Sequence, residues 1–252
     1  MTLSIESPLA FRRTDGVLEI VLRRSDKANA LTADMMESIA GAVAGARTDE
    51  VVLLSSASPS LFCAGADIRE FVGGGLPQQE HALLAMIKVM ARSRAPIVAI
   101  ARGRASGAGA LLLCLADIVV AAEDLQVACP EFVFGMYPVI VEAVLQSRFS
   151  PAVAAQMCLG AGVLAADQAR QAGLVTEVLP EADFAGAARA RVGYYVERRA
   201  GLAAMRCSRA IGHPTRLMCK QLDAVAPLMM ENFHAPGVQE RMARYLAGLG
   251  RR

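Results

Sequence analysis

The chain has 252 residues, 54% of them hydrophobic but only 5% aromatic and none Trp, so its core is built from Ala, Val, Leu, Ile and Met, and it is long enough to bury one without staples. The formal net charge is +2, from 26 basic and 24 acidic residues, which excludes a bulk attraction to nucleic acid or to an anionic membrane, so any anionic ligand is met locally. The six cysteines (Cys63, Cys114, Cys129, Cys158, Cys207, Cys219) show no CxxC or Cys/His ligand spacing, and with no secretory leader read ahead of them they are expected as small buried apolar residues of a reducing cytoplasm, without metal or disulfide.

Residues 9 to 23 carry two alternating runs around Asp15-Gly16, a strong hairpin signal. Thr32 then precedes apolar residues at helical spacing (Met35, Met36, Ile39, Val43), which predicts a capped amphipathic helix to Ala46. "VVLLSS", Val51 to Ser56, reads as a short strand covered on both faces. Gly73 to Gly75 is a flexible break, 79–92 a second helix, Pro96 to Gly103 another buried strand, Ser106 to Ala116 a helix and Asp117 to Ala122 a strand. The apolar segment from Ala110 to Ala122 carries Asp117 and is too short to span a bilayer. This β-α-β-α-β rhythm predicts a parallel or mixed sheet covered by helices. Beyond Pro151 two further helices are predicted, the second capped by Asp167 and closing at Gly173 before a short strand, and the rest has helical periodicity alone. The expected division is a core over 1–160 and a helical region over 161–252.

Two stretches of bare backbone stand out. "CAGAD", Cys63 to Asp67, follows one strand; "GRASGAGA", Gly103 to Ala110, joins the next strand to a helix. Both leave N–H groups uncovered at strand ends, the second at the positive end of a helix dipole. Two such donors aimed at one point make an oxyanion hole; singly, either loop is better explained by close packing of helix on strand. Gly103, Gly107 and Gly109 fail the GxGxxG dinucleotide spacing. In "CPEFVFGMYP", Cys129 to Pro138, Glu131 sits among Phe132, Val133, Phe134 and Met136. Burial there raises a carboxyl's pKa and suits it to moving protons on and off carbon, whereas a solvated helix-terminal carboxylate is the plain alternative.

In order and at matching separations, "FCAGADIREF", "GRASGAGALLLCLADIVVAAED", "CPEFVFGMYP" and "AADQARQAGLVTEVLP" resemble the crotonase superfamily, also called the enoyl-CoA hydratase/isomerase family, over Phe11 to Leu249. The resemblance implies an α/β fold, a crotonase-like ββα spiral with two near-perpendicular sheets and a helical C-terminal trimerisation region. It implies an acyl-CoA thioester substrate, as in fatty acid metabolism, with coenzyme A present only as part of it and no other cofactor, and a homotrimer or hexamer. Carried over by position, the oxyanion donors are the N–H groups of Ala64 and Ala108, with Gly65 keeping the approach clear. Ala66, Asp67 and Ile68 follow the adenine and pantetheine region, and Arg24 and Lys27, in "RRSDKANAL", are candidate phosphate partners or solvated surface charges.

The chain departs from the family where hydratases place the first of two glutamates: Leu111 occupies that position, leaving Glu131. Loss of one of two acid/base groups costs a factor of about 10²–10⁴ in rate, so the residues favour single-carboxylate proton shuttling of the isomerase kind over the two-carboxylate hydration of a lyase. A hydratase with atypical water activation, or an acyl-CoA-binding relative with weak catalysis, are the rival readings. "VIVEAVLQ", Val139 to Gln146, replaces a glycine-rich turn, with Glu142 expected on a helix surface and Tyr137 expected to line the pocket or pack. His81, His213 and His234 match no catalytic position.

Overall fold

The computed structural model describes residues 7–160, 162–211 and 213–249, with the side chains of 210–216 and 249 outside that description. The hairpin forms as β1 (Leu9–Thr14) and β2 (Val17–Leu22), antiparallel, with Thr14 opposite Val17 across Asp15-Gly16. β2 continues in parallel into β3 (Val51–Ser56), β5 (Ile97–Ala101), β7 (Ile118–Ala122) and β10 (Glu177–Leu179), giving a six-stranded sheet in the order β1-β2-β3-β5-β7-β10. β3 is apolar throughout because both of its faces are covered. Val52 and Leu54 face a core shared with α1 (Ala33–Ala44) and α3 (Leu76–Arg92), whereas Val51 and Leu53 meet Phe184, Ala188 and Val192 of α8 (Phe184–Glu197). The Thr32 side chain caps α1 by accepting from Met35 N–H at 3.2 Å, as its spacing predicts.

A second sheet has four strands of three residues each: β4 (Leu61–Cys63), β6 (Arg104–Ser106), β8 (Gln126–Ala128) and β9 (Val163–Ala165). β4, β6 and β8 run parallel and β9 closes the sheet antiparallel. Every long strand of the central series feeds a short one, β3 into β4, β5 into β6 and β7 into β8, so the chain winds between the two sheets. β9 and β10 join these sheets, which therefore draw on residues as far as Leu179, past the boundary expected at 160.

The remaining helices are α2 (Ile68–Val72), α4 (Ala108–Leu115), α5 (Val139–Leu145), α6 (Pro151–Gly160), α7 (Ala166–Gln171), α9 (Arg199–Ile211), α10 (His213–Phe233) and α11 (Val238–Leu249). Two expectations are corrected here. α7 begins at Ala166, with Gln168 Oε1 accepting from Ala165 N–H at 2.9 Å, while Asp167 lies inside the first turn beside Arg170. The glycine run is no free break: Gly73 closes α2 and Gly75 opens α3. Cys63, Cys114, Cys129, Cys158 and Cys219 are buried, as expected, but Cys207 on α9 is exposed. No helix among the described residues is long and apolar enough to cross a membrane.

Candidate active site

Three neighbouring parallel strands end at one place. β4 runs into Ala64–Asp67, β6 into Gly107 and the N-terminus of α4, and β8 into Cys129 and a short 3₁₀ turn, Pro130–Phe134, that carries Glu131. In sheets of this kind the carboxyl ends of adjacent strands form the natural crevice. A cavity of 110 Å³ opens there, lined by Ala64, Gly65, Ala66, Gly107, Ala108, Leu111, Glu131 and Tyr137, and roofed by Phe71 with Met229, Phe233 and Met242 from the C-terminal helices. The bare loops and the buried glutamate, far apart in sequence, thus share one wall.

The backbone N–H groups of the first loop can be assigned one by one. Ala64 N–H donates to Ala28 O at 3.0 Å, Gly65 N–H to Cys63 Sγ at 3.4 Å and Asp67 N–H to Leu31 O at 2.8 Å. Leu31 N–H in turn donates to Gly65 O at 2.7 Å, so Leu31 bridges in parallel across Ala66. In such a bridge the straddled residue directs its own N–H and C=O away from the partner strand. Ala66 N–H is therefore the group left over, with no acceptor among the described residues. This corrects the expectation for Ala64, whose N–H is committed to the protein.

On the second loop Gly107 N–H donates to Ala128 O at 3.0 Å, and the first intrahelical bond of α4 is Leu111 N–H to Gly107 O, also 3.0 Å. Ala108, the first residue of α4, keeps a free N–H as helix geometry requires. Gly65 at φ +111° brings the loops together: a Cβ there would sit 3.0 Å from Ser106 O and 3.6 Å from Ala108 N.

Glu131 Oε2 is buried and has no hydrogen-bond partner among the described residues, although the residue as a whole is partly exposed. Burial raises its pKa from the ordinary 4.5 to about 7, with its own backbone N–H opposing weakly. Leu111, which lines the same cavity, is 1% exposed and adds an apolar, non-ionisable surface to it. Tyr137 also lines the cavity and its hydroxyl donates to Glu142 Oε1 at 2.6 Å. Desolvation first, and that hydrogen bond second, raise its pKa and keep it neutral. Glu142, expected on a helix surface, is instead half-buried and braces Tyr137.

Of the other expected ligand residues, Asp67, Arg24 and Lys27 do not line the cavity. Ile68 lines the cavity, whereas Asp67 is 3% exposed and caps α2 by accepting from Arg69 N–H at 3.0 Å. Arg24 Nη1 is taken by Asp67 Oδ2 and Ala30 O, at 2.7 and 2.8 Å, so it fastens the loop rather than offering an unmatched charge to a phosphate. Lys27 is exposed, 3.8 Å from Asp26 Oδ2, and does not line the cavity. His81 and His234 are exposed, and the side chain of His213 lies outside the described residues.

Two features escape a reading of the sequence. Asn29, fully buried at φ +51°, donates to Ser56 Oγ at 2.8 Å and Phe62 O at 2.9 Å, tying the segment that holds Ala64 to β3 and β4; an Asn tolerates this conformation, but nothing in one sequence shows it is used. Met229, Phe233 and Met242 have the same helical spacing as ordinary core residues, so their place over the cavity is set by tertiary packing.

A family model described as enoyl-CoA hydratase/isomerase matches residues 12–247. The chain is 30% identical over 182 residues to the 2,3-dehydroadipyl-CoA hydratase of Escherichia coli, covering 69% of this chain and 70% of that protein. It is 28% identical over 184 residues to the human mitochondrial enoyl-CoA hydratase domain-containing protein 3, covering 70% and 60% of the two chains. Among solved structures, an enoyl-CoA hydratase/isomerase from Mycobacterium paratuberculosis superposes with a TM-score of 0.84 at 21% identity, over 96% of this chain and 100% of that one, a likeness of fold.

Proposed function

Because this chain belongs to the enoyl-CoA hydratase/isomerase family, we propose that its cavity binds an acyl-CoA thioester with the carbonyl oxygen on the N–H groups of Ala66 and Ala108, and that Glu131 moves protons on the acyl carbons. Two preorganised backbone donors stabilise the negative charge that reaches the thioester oxygen when a proton leaves the neighbouring carbon. Coenzyme A enters only as part of the substrate, and no further group is required by these residues.

The observation that carries this reading is the buried, unpartnered Glu131 Oε2 in the same cavity as the two free N–H groups. A carboxylate without a partner is a base without a competitor, and a pKa near 7 lets it both take and return a proton at neutral pH. With Leu111 lining the same cavity, Glu131 works as a single carboxylate. The reaction that one carboxylate completes unaided is the shift of a 3,4-double bond to the 2,3-position: Glu131 takes a proton from C2, the dienolate rests on Ala66 and Ala108, and the same proton returns at C4.

The test is turnover of 3-enoyl-CoA by the wild type and by Glu131→Gln. The wild type forms the conjugated 2-enoyl thioester, and the variant loses at least about 10²-fold in rate. Binding of CoA thioesters without turnover in the wild type would instead assign the chain to a binding role.

A further inference from the structure

The hydrogen-bonding groups of the cavity are unevenly divided. Its free backbone donors are the N–H groups of Ala66 and Ala108. The polar side chains that line it, Glu131, Tyr137 and Asn232, each keep an acceptor that no donor among the described residues serves. Glu131 Oε2 has no partner. The Tyr137 hydroxyl gives its one proton to Glu142 at 2.6 Å, and no donor among the described residues serves its lone pairs. Asn232, which also lines the cavity, directs one Nδ2 hydrogen to Leu228 O at 2.8 Å within its own helix, which leaves Oδ1 and a second Nδ2 hydrogen. A thioester carbonyl satisfies the two donors and none of these acceptors. Unsatisfied acceptors in an otherwise apolar cavity select a ligand that brings an O–H group.

We propose that Tyr137, braced by Glu142, holds an O–H group between itself and Glu131 and is a second catalytic residue, doing at the mouth of α5 what Leu111 cannot do on α4. This rests on the acyl-CoA reading above and extends it to addition and removal of water. The O–H belongs either to a water about to add or to the hydroxyl of a 3-hydroxyacyl thioester. Water oxygen bonds to C3 of a 2-enoyl thioester while the C2–C3 π pair moves toward the thioester oxygen held by Ala66 and Ala108. Glu131 takes one water proton, then delivers that proton to C2 as the enolate collapses. The second water hydrogen stays on oxygen, now the 3-hydroxyl, bonded throughout to Tyr137. One carboxylate suffices because the proton it removes is the proton it returns, provided that a second group fixes the oxygen.

The bracing is specific. Val139 N–H donates to Tyr137 O at 2.9 Å and Glu142 N–H to Pro138 O at 2.8 Å, so the backbone turn and the first turn of α5 place the phenol and its carboxylate partner together. With its proton on Glu142, Tyr137 offers the cavity only an acceptor. That orientation suits a hydroxyl or water and gives an alkyl chain nothing.

The experiment has two parts. Calorimetry compares 3-hydroxybutanoyl-CoA with butanoyl-CoA on the Glu131→Gln protein, which keeps an acceptor and stops turnover. The hydroxyl form is expected to bind at least 10-fold more tightly, and a further Tyr137→Phe change is expected to bring the ratio to within twofold. Hydration of crotonyl-CoA is then followed in wild type, Glu142→Gln and Tyr137→Phe, with losses of at least 100-fold in the last and a smaller loss in the second. A hydroxyl preference without hydration assigns the position to an acyl hydroxyl; hydration lost with Tyr137→Phe assigns it to water. Equal binding of the two thioesters to the Glu131→Gln protein overturns the proposal, and so does wild-type hydration by Tyr137→Phe. The binding comparison needs no change at Tyr137, so it decides the matter even if Tyr137→Phe does not fold. Failure of both thioesters to bind would overturn the acyl-CoA reading itself.

Discussion

Gly107 and Glu131 compete for one volume: a Cβ on Gly107 would lie 2.6 Å from Glu131 Oε1, closer than side-chain carbons come to any neighbour. The carboxylate stands where it does because the residue capping α4 has no side chain. Gly107 also holds φ +49°, a left-handed conformation that an L-residue adopts only under strain. Gly107→Ala is therefore expected to displace the carboxylate and move the adjacent Ala108 N–H together. A misplacement of about 1 Å costs on the order of 10²-fold in rate, and the strained backbone roughly 1–3 kcal/mol of stability. Steady-state kinetics and thermal unfolding of one preparation read both effects. Wild-type turnover in Gly107→Ala would show that this contact does not place Glu131.

The assignment of the oxyanion donor to Ala66 rather than Ala64 separates by a backbone change that spares every side chain. Replacing the amide N–H by an ester oxygen at Ala66 removes a group that no protein acceptor uses among the described residues. The expected loss is about 10²–10³ in kcat, with the unfolding temperature little moved. At Ala64 the same replacement breaks the 3.0 Å bond to Ala28 O. That change should cost about 1 kcal/mol in stability and much less in rate. The reverse pattern would return the donor role to Ala64.

Legibility of the sequence follows from element length and from register. β3, β5 and β7 are five or six residues long and apolar on both faces, so they stand out as strands. The four strands of the second sheet have three residues each, too few to show any period, yet the segments that follow three of them, β4, β6 and β8, line the cavity. Bare backbone at Cys63–Asp67 and Gly103–Ala110 marks two loops that line the cavity for that reason. Which N–H of the first loop is free depends on its pairing with Leu31, more than thirty residues away, and a one-residue choice there reverses the direction of every N–H. Glu131 is readable because a carboxylate in an apolar run has few bland explanations. Arg24 is not, because its partner Asp67 is distant in sequence and meets it only in the fold.

The raised pKa of Glu131 has two consequences of opposite sign. Activity needs the ionised base, so kcat/KM is expected to fall about tenfold for each pH unit below about 7. Stability runs the other way. The folded state binds the Glu131 proton more tightly than the unfolded chain, so this group's favourable contribution is complete below the ordinary 4.5 and is lost as pH rises through about 7. A tenfold tighter hold on the proton is worth about 1.4 kcal/mol, and the partial exposure of the residue reduces the total to roughly 1–3 kcal/mol. Glu131→Gln removes both effects: inactive, yet more stable than wild type at pH 8 by that margin and no more stable at pH 4.5. Urea unfolding of the two proteins at both pH values measures the difference, and an identical pH dependence would mean that Glu131 titrates normally.

Arg206 on α9 fixes a C-terminal helix to the ends of the elements that carry the site. Its Nε donates to Asp117 Oδ2 at 2.6 Å, Nη1 to Met90 O at 2.7 Å and Ser93 O at 3.2 Å, and Nη2 to Leu115 O at 3.2 Å, joining the last turns of α3 and α4. Asp117 Oδ2 also accepts Ile97 N–H at 2.8 Å at the start of β5, and the two side chains are only 7% and 4% exposed. Removing Arg206 leaves the buried Asp117 with Ile97 N–H and the exposed Arg209, 3.3 Å from its Oδ1, so Arg206→Met is expected to cost about 3 kcal/mol, the lower end for breaking a buried pair. Arg206→Lys should rescue little, since an ammonium cannot span a carboxylate and three carbonyls that the planar guanidinium fork reaches together. Neither residue lines the cavity, so turnover per folded molecule should stay at the wild-type value. Chemical unfolding with an activity measurement at low denaturant tests this, and a loss of turnover larger than the loss of folded protein would place the clamp in the working of the site.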